Sequence, residues 1–208
     1  MKTFSTIASV ACALVLTAGT ASCSDDESVN YTETSAKELA LQAATTPYVE
    51  HTVLPTYKGM ADAAIVLADS CDIIRKKFSA GTLTEKDIRI AGETWKRSRK
   101  HWELSEAFLF GPAANRNIDP HIDSWPLDHD QMVEALNNQN IIAGIQGSNP
   151  AQFIYTENKN FDSVIGFHGL EFVLFRNGAA RTAAMLNNNE TEEGMTTVKG
   201  IDELAFAA

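Results

Sequence analysis

Two ionisable residues stand inside the most apolar stretch of the chain. Phe161, Val164, Ile165, Phe167, Leu170, Phe172, Val173 and Leu174 cover nearly the whole circumference of a helix predicted over 160–175, and His168 and Glu171 sit among them. Side chains three apart share a helix face, so both point into an interior, where a charge stripped of water and left unpaired costs several kcal/mol. Three arrangements meet that demand: a mutual hydrogen bond, pairing with Arg99 or Glu106 of another helix, or a shared metal ion. Asp119, His121, Asp123, Asp128 and His129 crowd one short span. Brought beside His168 and Glu171, they would supply the oxygen and imidazole donors that a hard or borderline cation takes.

Other chemistries lack their residues. The chain has no His-Glu-x-x-His run, no Gly-x-Ser-x-Gly elbow, no phosphate-cradling glycine loop and no Cys-x-x-Cys pair. His101 falls outside the apolar stripe of its helix and reads as solvated. A net charge of -10 excludes a duplex nucleic-acid partner. Lys96, Arg97, Arg99 and Lys100 form the one dense basic strip, but Glu93, Glu103 and Glu106 interleave it, as on a solvated helix face. Without a basic groove, Trp95, Trp102 and Trp125 read as core residues rather than a stacking platform.

The elements that must position these residues are helices. Leu39, Val49, Val53, Tyr57, Met60, Ala64, Leu67, Cys71, Ile74 and Phe78 recur mainly at threes and fours, which predicts a helix over 35–78, kinked or restarted at Pro47 and Pro55. Cys71 reads as a buried small hydrophobe. Thr84 and Asp87 form a capping box for a second helix over 85–110, with Ile88, Trp95, Trp102 and Leu109 spaced by sevens and Arg99 and Glu106 on the edge of that stripe. A long ordered loop is expected over 113–130, a short helix over 131–138, and an Asn, Gly and Ser-rich break as far as Pro150. A further break is expected over 187–193. A last helical pattern starts at Ile201 and reads as cut short at Ala208, too brief to hold in isolation. The fold class is all-α, a helical bundle.

Residues 1–22 carry one early cation, Lys2, an apolar run from Ile7 to Ala18, and small residues up to Ser22, the pattern of a secretory signal. Cys23 follows directly, which resembles a bacterial lipobox and implies lipidation of that cysteine. The polar stretch after it, with Asp25, Asp26 and Glu27, reads as a tether through residue 35, and its acidic run resembles a surface-export signal. The expected organisation is a signal peptide at 1–22, a lipidated cysteine and tether at 23–35, and a helical domain at 36–208. The outer membrane is then the partner through the lipid anchor, with the domain on its periplasmic or surface face. With Cys23 acylated, Cys71 has no intrachain disulfide partner.

Three motifs in order resemble the imelysin family. Gly166-Phe-His168-Gly-Leu-Glu171 is similar to that family's Gly-x-His-x-x-Glu signature. Trp95, Arg99 and the run Ser105 to Pro112, SEAFLFGP with its Gly111-Pro112 close, resemble a second signature. Asp119 with Ser124 to Asp128, SWPLD, containing Trp125 and Pro126, resembles a third. The similarity covers residues 43–175. It implies two related helical bundles sharing a site around His168 and Glu171, with the second bundle outside these residues. It also implies an iron or zinc ion held by His168 and Glu171, with Glu106 or Asp119 as further donors and Arg99 in support. Two functions follow as expectations: an envelope lipoprotein that binds iron or an iron-bearing ligand, or a metallopeptidase with Glu171 or Glu106 as general base. The first is favoured, because a catalytic zinc needs three protein ligands and only two are identified.

Overall fold

A computed structural model describes residues 35–154, 163–189 and 198–208. The signal segment, Cys23 and the tether as far as residue 34 lie outside the described residues, as do 160–162 of the helix expected around His168 and 190–193 of the expected polar break. The described residues divide between residues 43 and 44 into two units. In the first, the start of helix α1 (Ala36–Tyr48) is closed by reciprocal bonds: the Glu38 N–H donates to Ser35 Oγ at 3.2 Å, and the Ser35 N–H donates to Glu38 Oε2 at 2.7 Å.

Neither proline breaks the first long helix. A π-helical turn, Val49–Val53, joins α1 to α2 (Leu54–Ser79). There the Leu54 N–H reaches back five residues to the Val49 carbonyl, and Pro55, which has no N–H to place, enters α2 at its start. The predicted stripe is buried in its second half, at Leu67, Cys71 and Ile74, while Leu39 and Val49 are exposed. Burial pushes the Cys71 thiol up to about 12, so it stays protonated and inert.

A short turn with Gly81 at φ +66 leads into α3 (Glu85–Ser105), which opens with the expected Thr84–Asp87 capping box. Helix α3 ends five residues before expected and tightens into a 3-10 turn at Glu106–Phe108. That turn gains roughly 20° per residue over an α-helix. The inward position therefore falls on Phe108, which is buried, rather than on Leu109, and Glu106 is carried out to solvent.

The expected loop over 113–130 is instead interrupted by helices α4 (Pro112–Asn115) and α5 (Ile118–Ile122). Pro112 supplies a preset φ at the first position of α4, and Asn117, left-handed at φ 53, starts α5. Helix α6 (His129–Asn137) is capped by Asp128, whose carboxylate accepts from the Gln131 N–H at 3.0 Å. The expected break after it is also partly helical: Asn138 ends α6 and caps α7 (Gln139–Ile145), and Asn149 caps the single turn α8 (Pro150–Gln152). Helix α9 (Gly166–Leu174) starts later than expected, after a turn at 163–165, because Gly166 at φ +74 cannot continue a right-handed helix; it buries Phe167, Phe172, Val173 and Leu174, as its apolar face requires. A two-residue hairpin, β1 (Phe175–Arg176) with antiparallel β2 (Ala179–Ala180), leads to α10 (Ala183–Asn187).

The last helix, α11 (Gly200–Ala207), departs most from expectation. It is buried at Asp202, Glu203, Leu204, Ala205 and Ala207 and packs against α2, α6, α7 and α9. Its anchor is an ion pair with less than a tenth of either side chain exposed. Arg181 donates through Nη1 to Glu203 Oε1 at 2.7 Å and through Nη2 to Oε2 at 3.1 Å, with a further bond to the Val173 carbonyl at 3.2 Å. A periodicity reading treats a terminal eight-residue helix as alone. Tertiary burial and a forked charge pair are what hold this one.

Candidate functional site

The site begins with a glycine. Gly166 opens α9 at φ +74, and a Cβ there would lie 2.3 Å from the Ile122 carbonyl oxygen. Only glycine satisfies both conditions. The close approach brings the start of α9 against the end of α5, and so sets His168 beside Asp123, the residue that follows Ile122.

Helix α3 supplies the third side from residues four and three apart. Trp95 Nε1 donates to the Phe167 carbonyl at 2.9 Å, Arg99 Nη1 pairs with Asp123 Oδ1, and the fully buried Trp102 donates through Nε1 to Asp123 Oδ2 at 2.5 Å. The Arg99 guanidinium also lies over the Phe167 ring, 5.4 Å from its centroid, and its Nε reaches Glu103 at 2.6 Å. One face of α3 therefore holds both elements that carry the cluster.

Asp123 is the hub. Its side chain is 7% exposed, and it faces Arg99, Trp102 and His168 Nε2, the last at 3.1 Å from Oδ1. The other imidazole nitrogen, Nδ1, lies 3.1 Å from Glu171 Oε2. His168 is thus held at both nitrogens and is 13% exposed, while Glu171 is 46% exposed. The Trp125 ring completes the clamp with its centroid 4.6 Å from that of the imidazole.

This arrangement decides what the pair could hold. No group of three or more His, Cys, Asp or Glu side chains is disposed for a metal among the described residues. Asp123 spends both oxygens on Arg99, Trp102 and His168. Two donors do fit: bonds of about 2.1 Å at right angles separate a nitrogen and an oxygen by roughly 3 Å, close to the 3.1 Å between Nδ1 and Oε2. The donor set suits an ion that arrives with most of its coordination supplied by something else.

The sequence candidates divide accordingly. His168, Glu171 and Arg99 come together, and Trp95, Trp125 and Gly166 surround or position them. Glu106 and Asp119 do not join: both are exposed and line a separate cavity of about 450 Å3. Gly111, at φ 58, and Pro112 make the turn that carries the chain from α3 to α4. Pro126 follows a cis peptide after Trp125. Asp128 is a helix cap. His101 is half-buried over Gly59 rather than solvated, because glycine leaves room for the ring: a Cβ on Gly59 would meet it at 2.9 Å. Trp125 is not core but 72% exposed. Asp123, one of five residues in the acidic span, had no signal marking it as the hub, since its role arises only where α5 meets α9.

Beside the cluster lies a cavity of about 590 Å3, bordered by His168, Glu171 and Trp125 together with Lys96, Phe175 and Arg176. Fold and site together define an all-helical domain that presents an oriented imidazole and carboxylate to a small-molecule-sized cavity.

The imelysin family model matches residues 53–199, and the chain belongs to the imelysin family. It is 29% identical over 128 residues to iron-regulated protein A of Synechococcus elongatus, a match spanning 62% of this chain and 30% of that protein. Among solved structures it resembles an imelysin peptidase from Bacteroides ovatus, with a TM-score of 0.57 and 33% identity over 70% of this chain and 39% of that one. It also resembles an iron-regulated protein A precursor from Parabacteroides distasonis, with a TM-score of 0.59 and 26% identity over 86% of this chain and 43% of the other. The chain spans less than half the length of each of these relatives.

Proposed function

We propose that this protein serves iron handling at the cell envelope by binding an iron-bearing ligand at the cavity beside His168 and Glu171, without cleaving peptides. The observation that carries the reading is the two-donor geometry. His168 Nδ1 and Glu171 Oε2 stand 3.1 Å apart at the edge of a cavity, while the third nearby acid, Asp123, is consumed by its own partners. Two protein donors suffice for an iron ion that a chelator already surrounds. They fall short of the three that a catalytic zinc takes. The iron-regulated relatives support the same direction. Where such a ligand binds, the chain's own part is to hold the imidazole in place through Asp123 and Trp125 and to offer Glu171 from the half-exposed side.

The alternative, an imelysin-type metallopeptidase, needs a general base and a third ligand. Of its two candidate bases, Glu106, in the turn after α3, lines a different cavity, and Glu171 is already one of the two donors. Thermal melts separate the two readings. A ferric nitrilotriacetate complex is expected to raise Tm of the wild type, but not of His168→Ala or Glu171→Gln, through preferential binding to the folded state. Peptide turnover that disappears with chelator would overturn the proposal in favour of the peptidase.

Anchoring through a lipid on Cys23, to the outer membrane, is part of the same proposal. No helix among the described residues is long and apolar enough to cross a membrane. Cys23→Ala is expected to release the protein into the soluble fraction, and retention in the membrane fraction would refute the anchor.

A further inference from the structure

We infer that the cavity beside His168 recognises the organic part of its ligand as a catechol-type ring bearing a carboxylate. This deepens the iron-bearing-ligand reading and rests on it for the role of the metal. The cavity, about 590 Å3, has the volume of a small-molecule site and far exceeds that of a bare ion. Its walls are aromatic: Trp95, Trp125, Phe172 and Phe175. Trp125 meets the His168 ring at 4.6 Å yet is 72% exposed, so a flat ring laid on its indole removes apolar surface from water.

The polar groups are arranged asymmetrically around those walls. Lys96 places Nζ 5.7 Å from the Phe175 ring centroid, and the Arg176 guanidinium lies 4.8 Å from that of Phe172. They bring positive charge to the lining in a chain whose net charge is -10. Three acids answer them: Glu93, which meets Lys96 at 3.0 Å on the exposed side, Glu203, 3.9 Å from Arg176 Nη2 on the buried side, and Glu171, the one carboxylate in the lining. A uniformly anionic ligand would be repelled by Glu171, and a cationic one by Lys96. A molecule with a carboxylate at one end and hydroxyl donors at the other satisfies both, with an aromatic ring between them for Trp125. In a catechol the hydroxyl edge is also the edge that chelates ferric iron. That edge would face the Nδ1 and Oε2 pair, which is spaced to complete the ion's coordination.

The test is isothermal titration calorimetry on the full 208-residue chain with 3,4-dihydroxybenzoate, whose carboxylate lies across the ring from its hydroxyl edge, first metal-free in the presence of chelator. Catechol and benzoate serve as probes that each lack one end. Saturable binding of dihydroxybenzoate is expected, with catechol and benzoate each weaker by about tenfold or more, the scale of one partly exposed charge-assisted hydrogen bond. Lys96→Glu should weaken dihydroxybenzoate by about tenfold and leave catechol unchanged, and Trp125→Ala should weaken both by about tenfold through lost stacking. Both side chains are exposed, and circular dichroism checks that the variants fold. No saturable binding of metal-free dihydroxybenzoate, or binding indifferent to Lys96→Glu and Trp125→Ala, overturns the inference. If ferric nitrilotriacetate still raises Tm in that case, ring recognition fails and the iron-bearing-ligand reading stands. If dihydroxybenzoate binds and no ferric complex does, the cavity assignment stands and the iron reading falls.

Discussion

Replacing Asp123 with alanine removes an acceptor that three donors share, and the structure indicates how much each loses. Trp102 is fully buried and its indole N–H has no other partner among the described hydrogen bonds, so it bears the full desolvation penalty of about 1–3 kcal/mol. Arg99 keeps Glu103 at 2.6 Å and is 20% exposed, so water and that carboxylate limit its loss to about 1 kcal/mol. His168 keeps Glu171 and loses a comparable amount, about 1 kcal/mol. Together these give a destabilisation of about 3–5 kcal/mol, the range for breaking a buried charged pair, and a fall in Tm on the order of 10 °C for a domain of this size. The assay is urea unfolding followed by far-ultraviolet circular dichroism, with Asp123→Ala measured in the wild-type and Trp102→Phe backgrounds. The same change should cost about 1–3 kcal/mol less where the indole N–H is already gone. A loss below about 1 kcal/mol, or strict additivity of the two changes, would show that Asp123 is not the hub the geometry makes it.

Glu203→Ala leaves Arg181 buried without its forked partner and should cost about 3–5 kcal/mol; amide exchange should then lose protection across residues 202–207, which the wild type should protect. Gly166→Ala forces a side chain into positive φ and against the Ile122 carbonyl, so it should lower stability by more than about 1–2 kcal/mol, read from denaturant midpoints, and should weaken the ferric-chelate response along with it. Asp87 is held down at about 2 from its ordinary 3.8, first by the Lys77 ammonium and then by the Thr84 hydroxyl. A carboxylate lowered in the folded state contributes stability that is complete above its unfolded value, so this contribution should fade as pH falls from about 4 to 2, and Asp87→Asn should flatten the stability profile in that window.

Local chemistry was legible along the chain wherever it depended on neighbours in sequence. The capping box at Thr84 and Asp87, the stripe through Leu67, Cys71 and Ile74, and the apolar circumference of α9 are all set by residues a few positions apart. Placing His168 and Glu171 on one face needed only a spacing of three. Helix ends were less legible: the 3-10 turn at Glu106–Phe108 moved Phe108 inward and Glu106 outward, a rotation that residue spacing does not record. The hub itself was decided by tertiary structure, because Asp123 becomes the partner of Arg99, Trp102 and His168 only where Gly166 lets α9 touch the carbonyl of Ile122. The exposure of Trp125 and the burial of α11 have the same origin. Periodicity shows that a helix has an apolar face, but which surface that face meets, and which charge it finds there, depends on segments that are remote in the chain and adjacent only after folding.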